Sequence, residues 1–235
     1  MSDKQIKAVY IARKLMQEGF TLAGVAGCIA NIEAESAFKS TNLQDSYERV
    51  VGMNDEQYTN AVDSGYYTNF ADDKCGYGLC QWTAADRKRG MLKYHRERGM
   101  SIGDFSTQVA WMAQEMKSYL KAYNICRESD DAYTCGWAVC KFYEIPANTA
   151  AQAEYRGGLA QEWYAWLKDN LEPVPEPEPT PAPAPVPEQQ RDVIFLQLAM
   201  QEDGDWNKPI DGLATEEWYE AFREYAKAVL RGDSL

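Results

Sequence analysis

The chain is 235 residues long, 45% hydrophobic and 12% aromatic, which is enough apolar material for one sizeable core plus a small second unit. A net charge of −12 argues against a nucleic-acid partner, because affinity for a phosphate backbone comes largely from Lys and Arg. No apolar run reaches the roughly 18 residues of a membrane-spanning helix. The charged, amphipathic opening "MSDKQIKAVYIARKL" also lacks the apolar stretch of a secretory signal. The expectation is therefore a protein made in the cytoplasm, with no membrane insertion.

In chain order, Ile6, Val9, Tyr10, Ile11, Leu15 and Met16 recur near helical spacing and predict a helix over 3–18, ended by Gly19. Thr21 is placed to cap a second helix running to about Glu35. A short helix fits 54–62, with Asn54 as its cap and "DSG" as its stop. The segment "GYYTNFADDKCGYGLCQWT", rich in Gly, Asp and aromatics, predicts a loop or short β-hairpin up to Thr83. Further helices fit 86–98, 106–119, 132–142 and 150–171. The fold class is mainly α, with a minor β element.

"EPVPEPEPTPAPAPVPE" at 172–188 carries proline at alternate positions, which favours an extended polyproline II spacer. It divides a domain at 1–171 from a C-terminal piece at 189–235 that reads as helix, turn, helix, with Thr215 capping the second helix. The negative charge is uneven: −3 on 1–171, −4 on 172–188 and −5 on 189–235. A basic cluster, "DRKRGMLKYHRERG" at 86–99, reads as a solvated helix face with cations towards its C-terminal end.

Six cysteines permit three disulfides. Cys28 and Cys140 sit in apolar helical contexts and read as buried thiols. Cys126 and Cys135 flank the polar "RESDDAYT" and can close it. The two C-x4-C pairs are not the usual zinc spacing, and His95 is the only histidine, in a charged helix read as exposed, so neither a metal site nor a Cys–His nucleophile is expected.

The run "GCIANIEAESAF" at 27–38 places Glu33 and Glu35 in an otherwise apolar helix end. On a helical wheel Leu22, Val25, Ala26, Ile29 and Ile32 form one stripe. Glu33 falls towards it, while Glu35 lies at its margin beside Cys28 and Asn31. Periodicity thus leans towards Glu33 as the buried acid. The negative end of the helix dipole disfavours an ionised carboxylate at either position, which suits a general acid. Two solvated acids at a frayed helix end remain the alternative.

"GVAGCIANIEAESAF", then "GYGLCQWT" with Arg87 shortly after, then "FYEIPAN" followed by "QAEYR", resemble in this order the phage tail-type lysozyme domain. "VVGMNDEQYTNAVDSG" and "SIGDFSTQVAWMAQEM" extend the resemblance over about 5–168. It implies a lysozyme-like fold that cleaves peptidoglycan between N-acetylmuramic acid and N-acetylglucosamine, with no cofactor. It also implies that Glu35, followed by Ser36, is the catalytic acid, and that Tyr77, Gly78, Gln81 and Trp82 belong to one wall of the sugar cleft. Tyr143, with Glu144 and Pro146, would pack near the catalytic helix or touch substrate.

A second carboxylate is expected opposite Glu35. The aspartate of related phage lysozymes, nine residues after the acid, is replaced here by Gln44. Asp73 is preferred, with Asp45 and Asp72 in reserve. If none is well placed, the single-acid route of lytic transglycosylases becomes the alternative, and a wall-binding virion component without activity is the rival from another class. The C-terminal piece weakly resembles small peptidoglycan-binding modules, with a homo-oligomerising hairpin as the other reading. The whole reads as endolysin-like, acting on the cell wall after release.

Overall fold

The computed structural model describes residues 1–171, and the Pro-rich linker and the C-terminal piece expected at 172–188 and 189–235 lie outside the described residues. The described chain is mainly α. It comprises α1 (Asp3–Gln17), α2 (Leu22–Ser36), α3 (Asp45–Val51), α4 (Asp55–Asp63), α5 (Ala85–Arg96), α6 (Phe105–Met116), α7 (Leu120–Glu128), α8 (Ala132–Val139) and α9 (Thr149–Asn170). A single π-helical turn, Cys140–Glu144, continues α8.

Helix starts follow their capping chemistry. Ser2 and Asn54 form capping boxes with Gln5 and Gln57, and the Thr21 hydroxyl accepts from the Gly24 amide, satisfying N–H groups that have no partner within the helix. Two helices, α3 and α7, were not expected. None of the residues of α3 is buried, and α7 buries only Ala122 and Cys126. The hairpin expected near residues 64–83 reduces to isolated antiparallel bridges, Leu43 with Tyr77 and Tyr77 with Trp82.

The axis of the fold is α2, buried without interruption from Ala23 to Ile32. A helix apolar on all sides belongs inside a bundle, and α2 packs against α7, α8 and α9. Small residues set how closely they approach. A Cβ at Gly24 would fall 1.9 Å from the Cys126 carbonyl oxygen, and one at Gly27 would fall 2.7 Å from the Cys135 backbone. All six cysteines are free and buried, and Cys126 and Cys135 meet as thiols in this core rather than as a loop-closing bridge.

The basic cluster on α5 divides once folded. Arg89 does face solvent, bonded to Asp72 and Asp86, but Lys88 and His95 are fully buried. His95 therefore departs from its expected exposure: its Nδ1 lies 2.8 Å from the Met91 carbonyl, and burial pulls its pKa down.

Lys88 holds the long loop between α4 and α5. Its ammonium donates to Asp73 Oδ1 at 2.6 Å and to the Cys75 carbonyl at 2.9 Å. Asp73 also accepts from the Cys75 amide and from the Tyr58 and Tyr67 hydroxyls. Both side chains are at most 3% exposed, so removing one would strand the other's charge. Asp73→Ala is accordingly expected to cost roughly 3–5 kcal/mol in denaturant unfolding; a loss no larger than that of a surface pair would contradict this anchoring role.

A candidate active-site cleft

Glu35 lies in the last turn of α2, and the chain leaves that helix through two left-handed residues, Ala37 (φ 48°) and Phe38 (φ 65°). The side chain is 17% exposed and opens onto a cleft of about 620 Å³. That volume lies within the range of small-ligand sites. Gly76, Cys80 and Gln81 form one wall, Arg87 of α5 and Tyr119 lie along it, and Tyr143, Glu144 and Ile145 form the other.

One cation fixes Glu35. Arg156 of α9, itself 4% exposed, donates from Nη2 to Glu35 Oε1 at 2.7 Å and from Nη1 to Asn31 Oδ1 at 3.0 Å. Asn31 is held in turn by donating to the carbonyls of Gly27 and Gly136. The neighbouring Ser36 hydroxyl bonds to the Ile32 carbonyl and, at 3.0 Å, to the Leu79 carbonyl. The glutamate–serine pair thus has a physical role: the first side chain faces the cleft, and the second ties its helix to the opposite wall. Glu33 points elsewhere, accepting from Lys4 at 2.7 Å and from Trp163 Nε1 at 2.7 Å.

The 76–82 wall is braced from behind. Gln108, fully buried, accepts from the Leu79 amide and donates to the carbonyls of Ser40 and Ile102. Gly78 (φ 78°) is confined by the same side chain, since a Cβ there would lie 2.6 Å from Gln108 Oε1. Gln81, itself left-handed at φ 44°, donates to the carbonyls of Asn42 and Gly78.

A second buried network sits under the cleft floor. Glu115 of α6 accepts from Arg87 Nε at 2.9 Å and Nη2 at 2.8 Å, from Trp82 Nε1 at 2.8 Å and from the Tyr143 hydroxyl at 2.6 Å. This bidentate pair orients Arg87, whose guanidinium also lies over the Tyr143 ring at 4.5 Å.

Of the residues singled out from sequence, Glu35, Gln81, Arg87, Tyr143, Glu144 and Pro146 line the cleft. Tyr77, Gly78 and Trp82 lie behind its wall: Tyr77 is fully buried with its hydroxyl 2.6 Å from that of Thr59, and the Trp82 indole is spent on Glu115. Asp73 is in the Lys88 anchor and does not line the cleft, Asp72 faces solvent bonded to Arg89, and Asp45 is exposed in the first turn of α3.

The carboxylate that does line the cleft with Glu35 is Glu144. The π-turn delivers it, ending at Ile145 in a left-handed conformation (φ 52°) that a β-branched residue rarely adopts. Burial pushes Glu144 up to about 8; Arg87 and Arg156 oppose the rise, and the charge of Glu35 adds to it. Cys80, also in the cleft, is pushed well above its usual value by burial, the opposite of what a thiolate nucleophile requires.

A family model described as phage tail lysozyme matches residues 7–167, and the chain belongs to that family. No curated protein matches the chain.

The Glu115 network is expected to support the cleft mechanically. Glu115→Ala should destabilise the protein by roughly 3–5 kcal/mol, because Arg87 is left buried without its main partner. Thermal and denaturant unfolding check this, and a cost under about 1 kcal/mol would show that water compensates Arg87 instead.

Proposed function

We propose that this phage tail lysozyme domain hydrolyses peptidoglycan at the β-1,4 bond between N-acetylmuramic acid and N-acetylglucosamine, with Glu35 as general acid. The observation carrying this reading is that Glu35 opens onto the cleft from the last turn of a buried helix, oriented by Arg156 at 2.7 Å. A glycan strand lying along the 76–82 wall brings a glycosidic oxygen to the free Oε2. Proton transfer to that oxygen accompanies cleavage of its bond to the muramic C1, as oxocarbenium character develops on the sugar. Water then attacks C1 and returns a proton to the site, leaving a reducing muramic acid end.

The position of Asp73 supports a second reading. With that carboxylate anchored to Lys88, the single-acid route of a lytic transglycosylase fits the cleft, the muramyl 6-hydroxyl replacing water and an anhydro end resulting. The sequence of 189–235 supports a role in retaining the enzyme at the wall, where it would act after release from the cell that made it.

Glu35→Gln is expected to reduce the rate of turbidity loss of purified peptidoglycan by about 10²–10⁴-fold. It should also lower the unfolding midpoint because the buried Arg156 loses its carboxylate, so rates are compared at a temperature where both proteins are folded. Equal lysis by both proteins would remove Glu35 as the acid, and no lysis by either would favour a wall-binding component. Mass spectrometry of the fragments separates reducing from anhydro ends.

A further inference from the structure

Glu144 is the acidic group of the cleft whose partners are incomplete. Its side chain is 3% exposed, yet Oε1 has no hydrogen-bond partner, and the nearest cation, Arg87, stands 4.0 Å from Oε2. Arg87 is already bonded twice by Glu115, and Arg156 is bonded to Glu35 and Asn31. Two guanidiniums therefore serve three buried or half-buried carboxyl groups. The third carboxyl has a low-energy state only as a neutral acid, because an ionised carboxylate without its own cation is costly in a dry site.

We propose that Glu144 is a positioning carboxyl group that works through Glu35: as a carboxylic acid it shares a proton with Glu35, and loss of that proton closes the reaction at alkaline pH. This rests on the reading of Glu35 as the proton donor. The two glutamates line the same cleft, and the charge of Glu35 adds to the rise of Glu144. The shared proton passes through Glu35 to the leaving oxygen, which leaves both carboxyls without it. The water that attacks the muramic C1 gives up its proton to the pair, which returns the site to its starting state.

The charged groups facing Glu144 are Arg87 of α5, Glu35 of α2 and Arg156 of α9, with the Cys80 thiol beside them. Tyr143 of the same π-turn and Tyr119 also feel it, and both are held above their usual range by burial, so they stay neutral while Glu144 ionises. Cys140 is likewise raised by burial. Among the described residues, the group of this set placed to ionise near pH 8 is Glu144.

The test is the pH dependence of two quantities in full-length wild type, Glu144→Gln and Glu144→Asp. Lysis of purified peptidoglycan by the wild type is expected to fall with a midpoint near pH 8. In Glu144→Gln that limb moves to lower pH by a unit or more, and Glu144→Asp, which keeps a titrating group, recovers most of it. A limb that stays put in Glu144→Gln would overturn the proposal.

Unfolding free energy gives a readout independent of catalysis. A carboxyl raised from 4.5 to about 8 on folding binds an extra proton in the folded state between those values. Wild-type stability should therefore decline through that window as pH rises, with the full cost present above it. Glu144→Gln should lack this part of the slope, so the difference between the two proteins reverses or narrows towards pH 9. Parallel curves would overturn the proposal even for a protein inactive on peptidoglycan, whereas that inactivity with diverging curves would count against the proposed function alone.

Discussion

The ion pair between Arg156 and Glu35, formed inside the bundle rather than on its surface, is the interaction on which the arrangement of the site depends. Because α2 is apolar on every side, it lies inside the bundle, and any polar group it carries must be satisfied by another helix. Arg156 does so for two of them, bonding Glu35 and the Asn31 amide oxygen with one guanidinium. That single side chain ties α9 to α2, and Gly136 of α8 lets α9 approach from the other side: a Cβ there would lie 2.5 Å from the Arg156 carbonyl. A side chain so restrained presents its outer oxygen to the cleft without paying ordering entropy when a ligand arrives.

The walls follow the same rule of compensating each buried charge. Asp73 and Lys88 tie down the long loop, Glu115 and Arg87 tie α6 to α5, and Ser36 joins the end of α2 to the Leu79 carbonyl. Strain is concentrated at the same places. Ala37, Gln81 and Ile145 all adopt left-handed backbone conformations, and two of them line the cleft. Such conformations persist where surrounding packing imposes them, and they commonly mark positions where a chain is bent to aim a side chain. Glu144 reaches the cleft through one of these bends.

Much of this was legible in the sequence, and the parts that were not have physical reasons. The first helices are legible to within a residue or two, because the apolar spacing marks 3–18 and Thr21 and Asn54 announce the next starts. Helix α3 buries no residue and so leaves no stripe, whereas the nine-residue α7 does carry an apolar face, with Ala122 and Cys126 buried and Tyr123 and Ile125 packed against the core, that the reading by spacing missed. The choice between Glu33 and Glu35 lay beyond periodicity: Glu33 leans towards the apolar stripe yet finds Lys4 and Trp163 across the helix interface, partners remote in sequence. The motif resemblance selected Glu35. Asp73 failed as a cleft residue because its partner, Lys88, sits in a cluster that reads as solvated until the fold buries it. Glu144 was marked by the motif resemblance as packing near the catalytic helix, but its place as the cleft's second carboxyl was not legible, because the π-turn over Cys140–Glu144 that delivers it breaks the 3.6-residue period.

Reactivity in this site is therefore a matter of counting cations against carboxyl groups in a dry space. Arg87 and Arg156 stabilise two negative charges among Glu35, Glu115 and Glu144, and the remaining charge is cancelled by a proton. Carbon-13 titration of the Glu144 side-chain carboxyl by NMR tests this most directly. The account predicts that Glu144 keeps its proton through neutrality and releases it near pH 8. Ionisation of Glu144 by about pH 6, in the range of unperturbed glutamates, would contradict it.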